Sequence, residues 1–179
     1  GYNELDGFIY GVRQSPRSLM RIDASGAVTE VADLSTLSIE APDTSSDILP
    51  NGIMIYMSGS DTSRYQLLDI SDPANPVALG VLTASAGATY SRDMAYNPLD
   101  GLIYFFDTSR NLHFFDPNHG VPGSIPVGLL ANVPLPEGQF SMDIDSVWFA
   151  GSGSIYCLDN PSSPVTAVQV CAADTLSAS

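Results

Sequence analysis

The sequence predicts an all-β fold, a β-propeller of four four-stranded blades, because two patterns recur four times in its 179 residues. One pattern is a short apolar run that ends in an aspartate, at spacings of 46, 47 and 43 residues: Asp23, Asp69, Asp116 and Asp159. The other is an aromatic residue that follows a β-branched one: Tyr10, Tyr56, Tyr104 and Trp148. Periods of about 40–50 residues with several short strands in each are typical of propeller blades.

The second repeat shows the strands of a blade most clearly. Apolar runs predict strands over residues 45–49, 53–58, 64–70 and 77–82. Gly52 in the turn Pro50-Asn51-Gly52 supplies the positive φ that a tight hairpin needs. No segment has the period of an amphipathic helix. We therefore expect one domain over residues 1–179, with repeats at about 1–40, 41–86, 87–137 and 138–179.

The first repeat lacks the strand that should precede Gly1, and the end of the chain resembles that missing strand. Placed before Gly1, residues 175–179 align with the segment that opens the third repeat, residues 90–95. This predicts that the C-terminal strand completes blade one and leaves no open sheet edge. The alternative is a four-blade segment of a larger propeller. A chain that begins at Gly rather than Met is expected to be a mature form or an excised segment.

Composition argues against two classes of partner. The net charge is −14, and all six basic residues are arginines. An acidic chain without a basic cluster does not favour binding to nucleic acid or to anionic membranes. No apolar run reaches about 18 residues, which argues against membrane insertion. Acidity of this kind fits a soluble extracellular protein, a protein from a salty habitat or a calcium binder.

Two cysteines, Cys157 and Cys171, lie on the predicted third and fourth strands of the last blade. Cysteines on neighbouring strands come within disulfide distance, and an exported protein would be oxidised. We expect a Cys157–Cys171 disulfide, with two buried thiols as the alternative. Their spacing does not fit a zinc site.

Three aspartates are candidates for a metal site in the central channel. A Ser-x-Asp pattern recurs on three of the predicted first strands, which line the channel of a propeller: Asp47, Asp93 and Asp143. Carboxylates brought together there would repel one another unless a cation such as calcium lay among them. The alternative is that they cap turns or form hydrogen bonds between blades. The aspartates that end each third strand are instead expected to bind the backbone amides of the following turn.

Two stretches resemble known families. The run Leu67-Leu68-Asp69-Ile70-Ser71-Asp72-Pro73-Ala74-Asn75-Pro76-Val77 is similar to the LVIVD repeat of bacterial and archaeal cell-surface proteins, and residues 155–165 form a looser copy. The Tyr-Asn-x-Leu-Asp-Gly-x-Ile-Tyr runs at 2–10 and 96–104 resemble an uncharacterised propeller domain of large secreted bacterial surface proteins. The resemblance implies a β-propeller on a cell surface or in an extracellular assembly, and it implies no catalytic residues.

Two classes of function follow. The first is a non-enzymatic structural or adhesive module that is extracellular or on the cell surface and binds protein partners or itself. The second is a secreted propeller lyase or hydrolase that uses Arg92, Asp93 or Asp143 at the channel mouth, or a binder of small ligands such as sugars. Even repeats, short loops and the lack of a nucleophile motif favour the first class.

Overall fold

The structure is a computed structural model of the chain. It describes residues 1–61, 63–84, 90–98, 101–107, 111–117, 124–125, 128–132, 140–143, 146–151, 154–159 and 168–172. Side chains are described for residues 1–43, 45–61, 63–82, 94–98, 101–103 and 116–117. The described part of the chain contains no helix of the length and apolarity needed to cross a bilayer.

The described chain is all-β, and each predicted repeat forms one sheet of antiparallel strands in chain order. The first sheet consists of β1 (Tyr2–Asn3), β2 (Phe8–Arg13), β3 (Ser18–Ile22) and β4 (Val28–Asp33). The second contains β5 (Pro42–Ile48), β6 (Ile53–Ser58), β7 (Arg64–Asp69) and β8 (Val77–Ala84). The second strand of this repeat matches its predicted bounds, and the first strand begins three residues earlier than predicted.

The last two repeats follow the same plan with one addition. The third sheet contains β9 (Tyr90–Asn97), β10 (Leu102–Asp107), β11 (Asn111–Phe115) and β13 (Gly128–Asn132). The fourth contains β14 (Phe140–Asp143), β15 (Ser146–Gly151), β16 (Ser154–Asp159) and β17 (Val168–Ala172). The short strand β12 (Ser124–Ile125) leaves the third repeat and pairs in parallel with β8, which the sequence did not predict. It covers part of an edge that would otherwise expose unpaired backbone groups.

The chain divides into two compact units: the first two sheets with β12, and the third and fourth sheets. The core of the first unit lies between its two sheets. Tyr10 and Leu19 from the first sheet pack with Met54, Tyr56 and Leu68 from the second, and all five are at most 2% exposed. Burial of each aliphatic side chain of this size stabilises the fold by about 1.5–3 kcal/mol.

The face of the first sheet that points away from this core is partly apolar and exposed. Register places Tyr2, Ile9, Ile22 and Val28 opposite one another in a row that crosses all four strands. Tyr2 is 55% exposed, Ile9 48% and Val28 61%. By contrast, β6 is buried along nearly its whole length, which explains its near-continuous apolar sequence.

Each sheet has an irregularity at the same place, in the pairing of its last two strands. One residue of the last strand is passed over as the register shifts: Val31, Leu79, Leu130 and Val170. An extra residue of this kind bends the strand and increases its right-handed twist. The shift recurs in all four sheets, so it is part of the repeat itself.

The predicted turn between the first two strands of a repeat is confirmed. The amide of Gly52 donates to the carbonyl of Leu49 (2.9 Å), and Gly52 has φ of +81°. The corresponding Gly7 and Gly101 have φ of +77° and +75° and donate to carbonyls four residues earlier. Left-handed backbone at these positions explains the glycine in the repeated Leu-Asp-Gly turn.

We predict that Gly52→Ala destabilises the protein by about 1–3 kcal/mol, because a non-glycine residue in the left-handed region is strained. An added Cβ would also lie 2.9 Å from Cα of Ser71 and 2.8 Å from Cδ1 of Leu5. The matched control is Gly11→Ala, where a Cβ meets no atom within 4 Å and φ is not positive. Urea denaturation should show a lower midpoint for the first variant alone, and equal midpoints would contradict the assignment.

Candidate functional site

A small pocket lies between the two sheets of the first unit, where β2 approaches β5 and β6. Its volume is about 190 Å³. The lining combines apolar groups with a carboxylate and two hydroxyls: Gly11, Val12, Pro42, Asp43, Ser46, Met54 and Tyr56. This arrangement suits a small polar group or a side chain of a further segment better than a drug-sized ligand, which needs a pocket of about 300–1,000 Å³.

The hydroxyl of Tyr56 in this pocket has a structural partner. It donates to the carbonyl oxygen of Glu40 (2.9 Å). Burial raises the pKa of Tyr56 well above its usual value of 10. Tyr56 therefore stays protonated at neutral pH and serves as a donor. Tyr10, the corresponding residue of the first sheet, donates a hydrogen bond to Asp6 Oδ2. Burial, and to a smaller extent this hydrogen bond, raises the pKa of Tyr10 to about 12.

The connection between the first two sheets is held by polar side chains from both of them. Arg17 donates to the carbonyl of Ile39 (2.8 Å), and Gln14 donates to the carbonyl of Pro42 (2.7 Å). From the second sheet, the side-chain oxygen of Gln66 accepts from the amide of Glu40 (2.9 Å). The backbone of a segment without regular structure is thus satisfied by side chains, as burial requires.

Glu40 is the centre of this network. Its carboxylate accepts hydrogen bonds from the hydroxyls of Ser58 (3.0 Å) and Ser60 (3.2 Å) and pairs with Arg64 (2.6 Å). Ser58 is fully buried, whereas the Arg64 side chain is 41% exposed. Solvent screening limits the ion pair to below about 1 kcal/mol, so the serine bonds matter more. A carboxylate engaged by three partners is positioned to hold the connection in place.

The aspartates at the ends of the third strands cap turns, as predicted, in both repeats where their hydrogen bonds are described. Asp23 Oδ1 accepts from the amide and hydroxyl of Ser25 (2.8 and 2.6 Å) and from the amide of Ala27 (3.0 Å). Asp69 Oδ1 accepts from the amide and hydroxyl of Ser71 (2.9 and 2.7 Å). The caps at Asp116 and Asp159 stay predictions.

The same Asp-x-Ser geometry occurs at further turns that the sequence analysis did not single out. Asp61 accepts from the amide and hydroxyl of Ser63 (2.9 and 2.7 Å), and Asp33 accepts from the amide of Ser35 (2.8 Å). Hydrogen bonds from the serine hydroxyl hold the pKa of Asp61 below its ordinary value, as they do for Asp23. The signal in the sequence was the Asp-x-Ser spacing itself.

Asp47, the first of the predicted channel aspartates, lies on β5 and is half-buried. Its carboxylate accepts from the amide of Ile48 (2.9 Å). We call the recurring aromatic residue on the second strand of each repeat its aromatic anchor: Tyr10, Tyr56, Tyr104 and Trp148. Register places Ser46 opposite the anchor Tyr56, so Asp47 lies one residue after the partner of the anchor. Among the residues that the structure describes, no group of three or more His, Cys, Asp or Glu is placed to hold a metal ion.

The other two aspartates occupy different positions relative to their anchors. Asp93 lies two residues before the partner of Tyr104, and Asp143 lies two residues after the partner of Trp148. The Ser-x-Asp spacing therefore does not mark equivalent points of the strand pairing. The side chains of Asp93 and Asp143 are outside the described residues, and the calcium site stays a prediction.

The two cysteines lie on adjacent strands of the fourth sheet, β16 and β17, as predicted. Register places Cys157 opposite Val168 and Cys171 opposite Ile155. Their side chains are outside the described residues, and the disulfide stays a prediction.

The sequence analysis missed the residues that hold the connection. Glu40, Arg17 and Gln14 occur in no repeated motif, so the search for repeats passed over them. Gln66 lies within the repeated run that ends in Asp69, but nothing in that repeat distinguishes it. Their partners are 22–28 residues away in three cases, which no local pattern reveals.

Comparison with known proteins identifies a family and a fold. The family described as a repeat of unknown function (DUF6923) matches residues 1–179. None of the curated proteins is similar enough in sequence to count as a match. The family match does not show that the chain contains LVIVD repeats. A propeller built from repeats is supported by the match to a repeat family and by the structural likeness.

Three of the solved structures that resemble the chain represent its neighbours. They are a protein of unknown function from Bacteroides thetaiotaomicron (12% identity, TM-score 0.57), an auxiliary nutrient binding protein from Bacteroides ovatus (16%, 0.61) and a gluconolactonase from Xanthomonas campestris (12%, 0.61). They cover 93%, 96% and 96% of this chain, which in turn spans only 42%, 41% and 60% of theirs. At these identities the likeness shows a propeller-like fold alone.

We predict that Glu40→Ala destabilises the protein by about 1–3 kcal/mol, since the hydroxyls of Ser58 and Ser60 and the guanidinium of Arg64 all lose their carboxylate partner. The matched control is Glu4→Ala, because Glu4 is exposed in a surface turn and should change stability by no more than about 0.5 kcal/mol. Chemical denaturation of both variants measures the difference. Equal unfolding midpoints would show that the network does not hold the connection.

Proposed function

Because the chain belongs to the DUF6923 family of repeats along its whole length, we propose that it is a non-enzymatic structural or adhesive module of a secreted or cell-surface assembly. In this role it binds protein partners or further copies of itself. The proposal is supported by the structural roles of polar side chains in the described part of the chain. Asp23, Asp61 and Asp69 bind the turns that follow them, and Glu40 holds a connection.

A module of this kind needs a rigid body with variable surfaces. The described Asp-x-Ser turns supply rigidity, and each requires only an aspartate and a serine at fixed positions. Each Asp-x-Ser turn satisfies backbone amides that would otherwise face solvent or lie unpaired. The acidic surface, with a net charge of −14, supports an extracellular location because it favours solubility without a basic partner surface. The family resemblances to secreted surface proteins point the same way.

A second candidate is a propeller hydrolase or a binder of small sugars. The pocket beside Asp43, Ser46 and Tyr56 favours it, since it brings a carboxylate and two hydroxyls together. The structural likeness to a gluconolactonase adds a known chemistry to test. Against it stands the engagement of the Tyr56 hydroxyl by Glu40, which leaves that group structural.

For the fold, we propose that the four sheets are four blades of a closed propeller, with the C-terminal strand completing blade one. The alternative of a four-blade segment of a larger propeller fits the fact that the chain spans 41–60% of the structures it resembles. The exposed apolar row through Ile9 supports either case, since both place a neighbouring blade against that face.

The Cys157–Cys171 disulfide belongs to the same extracellular proposal, because it would form only in an oxidising compartment. The two cysteines lie on adjacent strands, but Cys171 lies opposite Ile155, two residues from Cys157. Diagonal neighbours of this kind are about 7–8 Å apart, so the disulfide requires the two strands to shift. Intact mass after alkylation without reductant tests it, and two alkylated cysteines in the native protein would refute it.

The structural role predicts that the purified protein does not accelerate hydrolysis of D-glucono-1,5-lactone above the buffer rate, followed by acid release at constant pH. Antibodies against the protein should label intact producing cells or detect it in the medium. Turnover that is lost in Asp43→Asn or Ser46→Ala would support the hydrolase instead. Detection only inside lysed cells would contradict the extracellular role.

If Asp47, Asp93 and Asp143 share a calcium ion, a chelator should lower the melting temperature and millimolar calcium should restore it, because an ion that binds only the folded state stabilises that state. Asp47→Asn should abolish the response. Asp72→Asn is the control, since Asp72 lies exposed in a turn and should retain the response. An unchanged melting temperature across chelator and calcium would leave these aspartates with local hydrogen-bonding roles.

A further inference from the structure

The turn that joins β5 to β6 contains the one Asn-Gly pair of the sequence, Asn51-Gly52. A side-chain amide is lost most readily at such a pair, because glycine has no Cβ to hinder the approach of its own nitrogen. That nitrogen attacks Cγ of the asparagine, the Cγ–Nδ2 bond breaks, and ammonia leaves with the proton of the glycine amide. Water then opens the resulting succinimide ring to give aspartate or iso-aspartate.

The side chain of Asn51 is accessible to this reaction. Asn51 is exposed, and its Oδ1 accepts a hydrogen bond from the amide of Ile53 at 3.3 Å. An N–H group that points at Oδ1 stabilises the negative charge that forms on this oxygen when Cγ is attacked. The carboxamide of Asn51 is therefore both exposed and polarised toward the loss of ammonia.

The backbone of Gly52, by contrast, is held on several sides. Its N–H donates to the carbonyl of Leu49 (2.9 Å), and its carbonyl accepts from the amide of Ile70 (2.9 Å). It is packed so closely that an added Cβ would lie 2.9 Å from Cα of Ser71. The Gly52 nitrogen cannot turn toward Cγ of Asn51 unless these contacts separate. The closed turn therefore withholds the attacking nitrogen.

The residue types of the turn favour the same closed form. Leu49 and Gly52 are its first and last residues, and proline at the second position with glycine at the fourth is the pattern of a type I turn. The third residue of a type I turn has ψ of about 0°, which places the next nitrogen beside the residue's own nitrogen rather than its Cβ. Ring closure therefore requires Asn51 to leave this ψ. Pro50 restricts the open forms of the turn, because its ring fixes φ.

The two products of deamidation differ in whether they fit this turn. Aspartate occupies the corresponding position in the first and third repeats, at Asp6 and Asp100. Asp6 Oδ1 accepts from the amide two residues later (3.2 Å), which is the contact that Asn51 makes. Aspartate is thus accommodated. Iso-aspartate instead adds a methylene carbon to the main chain between Leu49 and Ile53, whose backbone hydrogen bond closes the hairpin (2.8 Å).

We propose that Asn51 is a deamidation site controlled by its own turn. The amide persists while Gly52 is bonded to Leu49, and it is lost when this turn opens. Turns open locally at a lower free energy than the whole domain unfolds, so the reaction records openings of this hairpin. The iso-aspartyl product prevents the turn from closing as before, which makes each such event permanent.

The test follows loss of the amide in the full chain during incubation in mildly alkaline buffer, with and without a denaturing concentration of urea. Peptide mapping by mass spectrometry locates the change at Asn51, and chromatography separates the aspartyl from the iso-aspartyl peptide. We expect the rate in the folded protein to be at least about tenfold lower than in urea, because only the open fraction reacts. A smaller difference would overturn the control by folding.

A pair of proline variants tests whether this turn in particular sets the rate. Pro50→Gly should raise the rate in the folded protein at least about twofold and leave the rate in urea unchanged. The matched control is Pro73→Gly, because Pro73 occupies the same position in a turn closed by a hydrogen bond from the amide of Asn75 to the carbonyl of Asp72 (3.0 Å). The control should keep the unsubstituted rate. Equal rates in the two variants, raised or not, would overturn the proposal.

The fate of the products is tested separately. Asn51→Asp should unfold at the urea midpoint of the unsubstituted protein, because the first repeat has aspartate in the same turn. Protein deamidated in urea and then refolded should contain aspartyl chains with the original midpoint and iso-aspartyl chains with a lower one. Recovery of the original midpoint by the iso-aspartyl chains would contradict the claim that this product prevents closure.

Discussion

The satisfaction of backbone groups in the connection between the first two sheets is the constraint on which the first unit depends. Residues 34–41 leave one sheet and enter the next without regular pairing, and they lie beside a core in which Leu34 is fully buried. Their carbonyls and amides are bound by side chains from both sheets, through Arg17, Tyr56 and Gln66. Because an unsatisfied buried backbone group costs about 1–3 kcal/mol, these hydrogen bonds stabilise the connection in addition to the apolar packing between the two sheets.

Local features of the fold could be predicted from sequence, because each depends on neighbours in the chain. The turn glycine at position 52 and the cap at Asp23 follow from residue types within four positions of one another. The strand β12 and the passed-over residue of each last strand were not predicted, because both depend on which strands meet in space. The same reason hides Glu40, whose hydroxyl partners are 18 and 20 residues away.

The channel aspartates show a different limit of repeat alignment. The shared Ser-x-Asp spacing predicted equivalent strand positions for Asp47, Asp93 and Asp143. The strand pairing is irregular near Asp47 and Asp93. In the second sheet the register shifts between Pro42 and Ser46, and in the third it shifts between Phe105 and Asp107. Such irregularities let similar sequences occupy different heights on a strand. The aromatic anchors are also not fully equivalent, because Tyr10, Tyr104 and Trp148 pair with the residue two before the repeated aspartate. Tyr56 pairs with Gln66, three before Asp69.

The recurrent bulge in each last strand makes the two edges of a sheet differ in how readily a strand of another chain can pair with them. A bulged, twisted outer edge is a poor template for another strand, and β12 covers part of one such edge. The stretch of β2 past Tyr10 lacks a bulge in its pairing with β3 and presents regular backbone. Chains that meet edge to edge would therefore pair more readily through the regular stretch of β2 than through a bulged outer edge. In a protein made of similar repeats, this irregularity disfavours wrong pairing between the outer strands of neighbouring sheets.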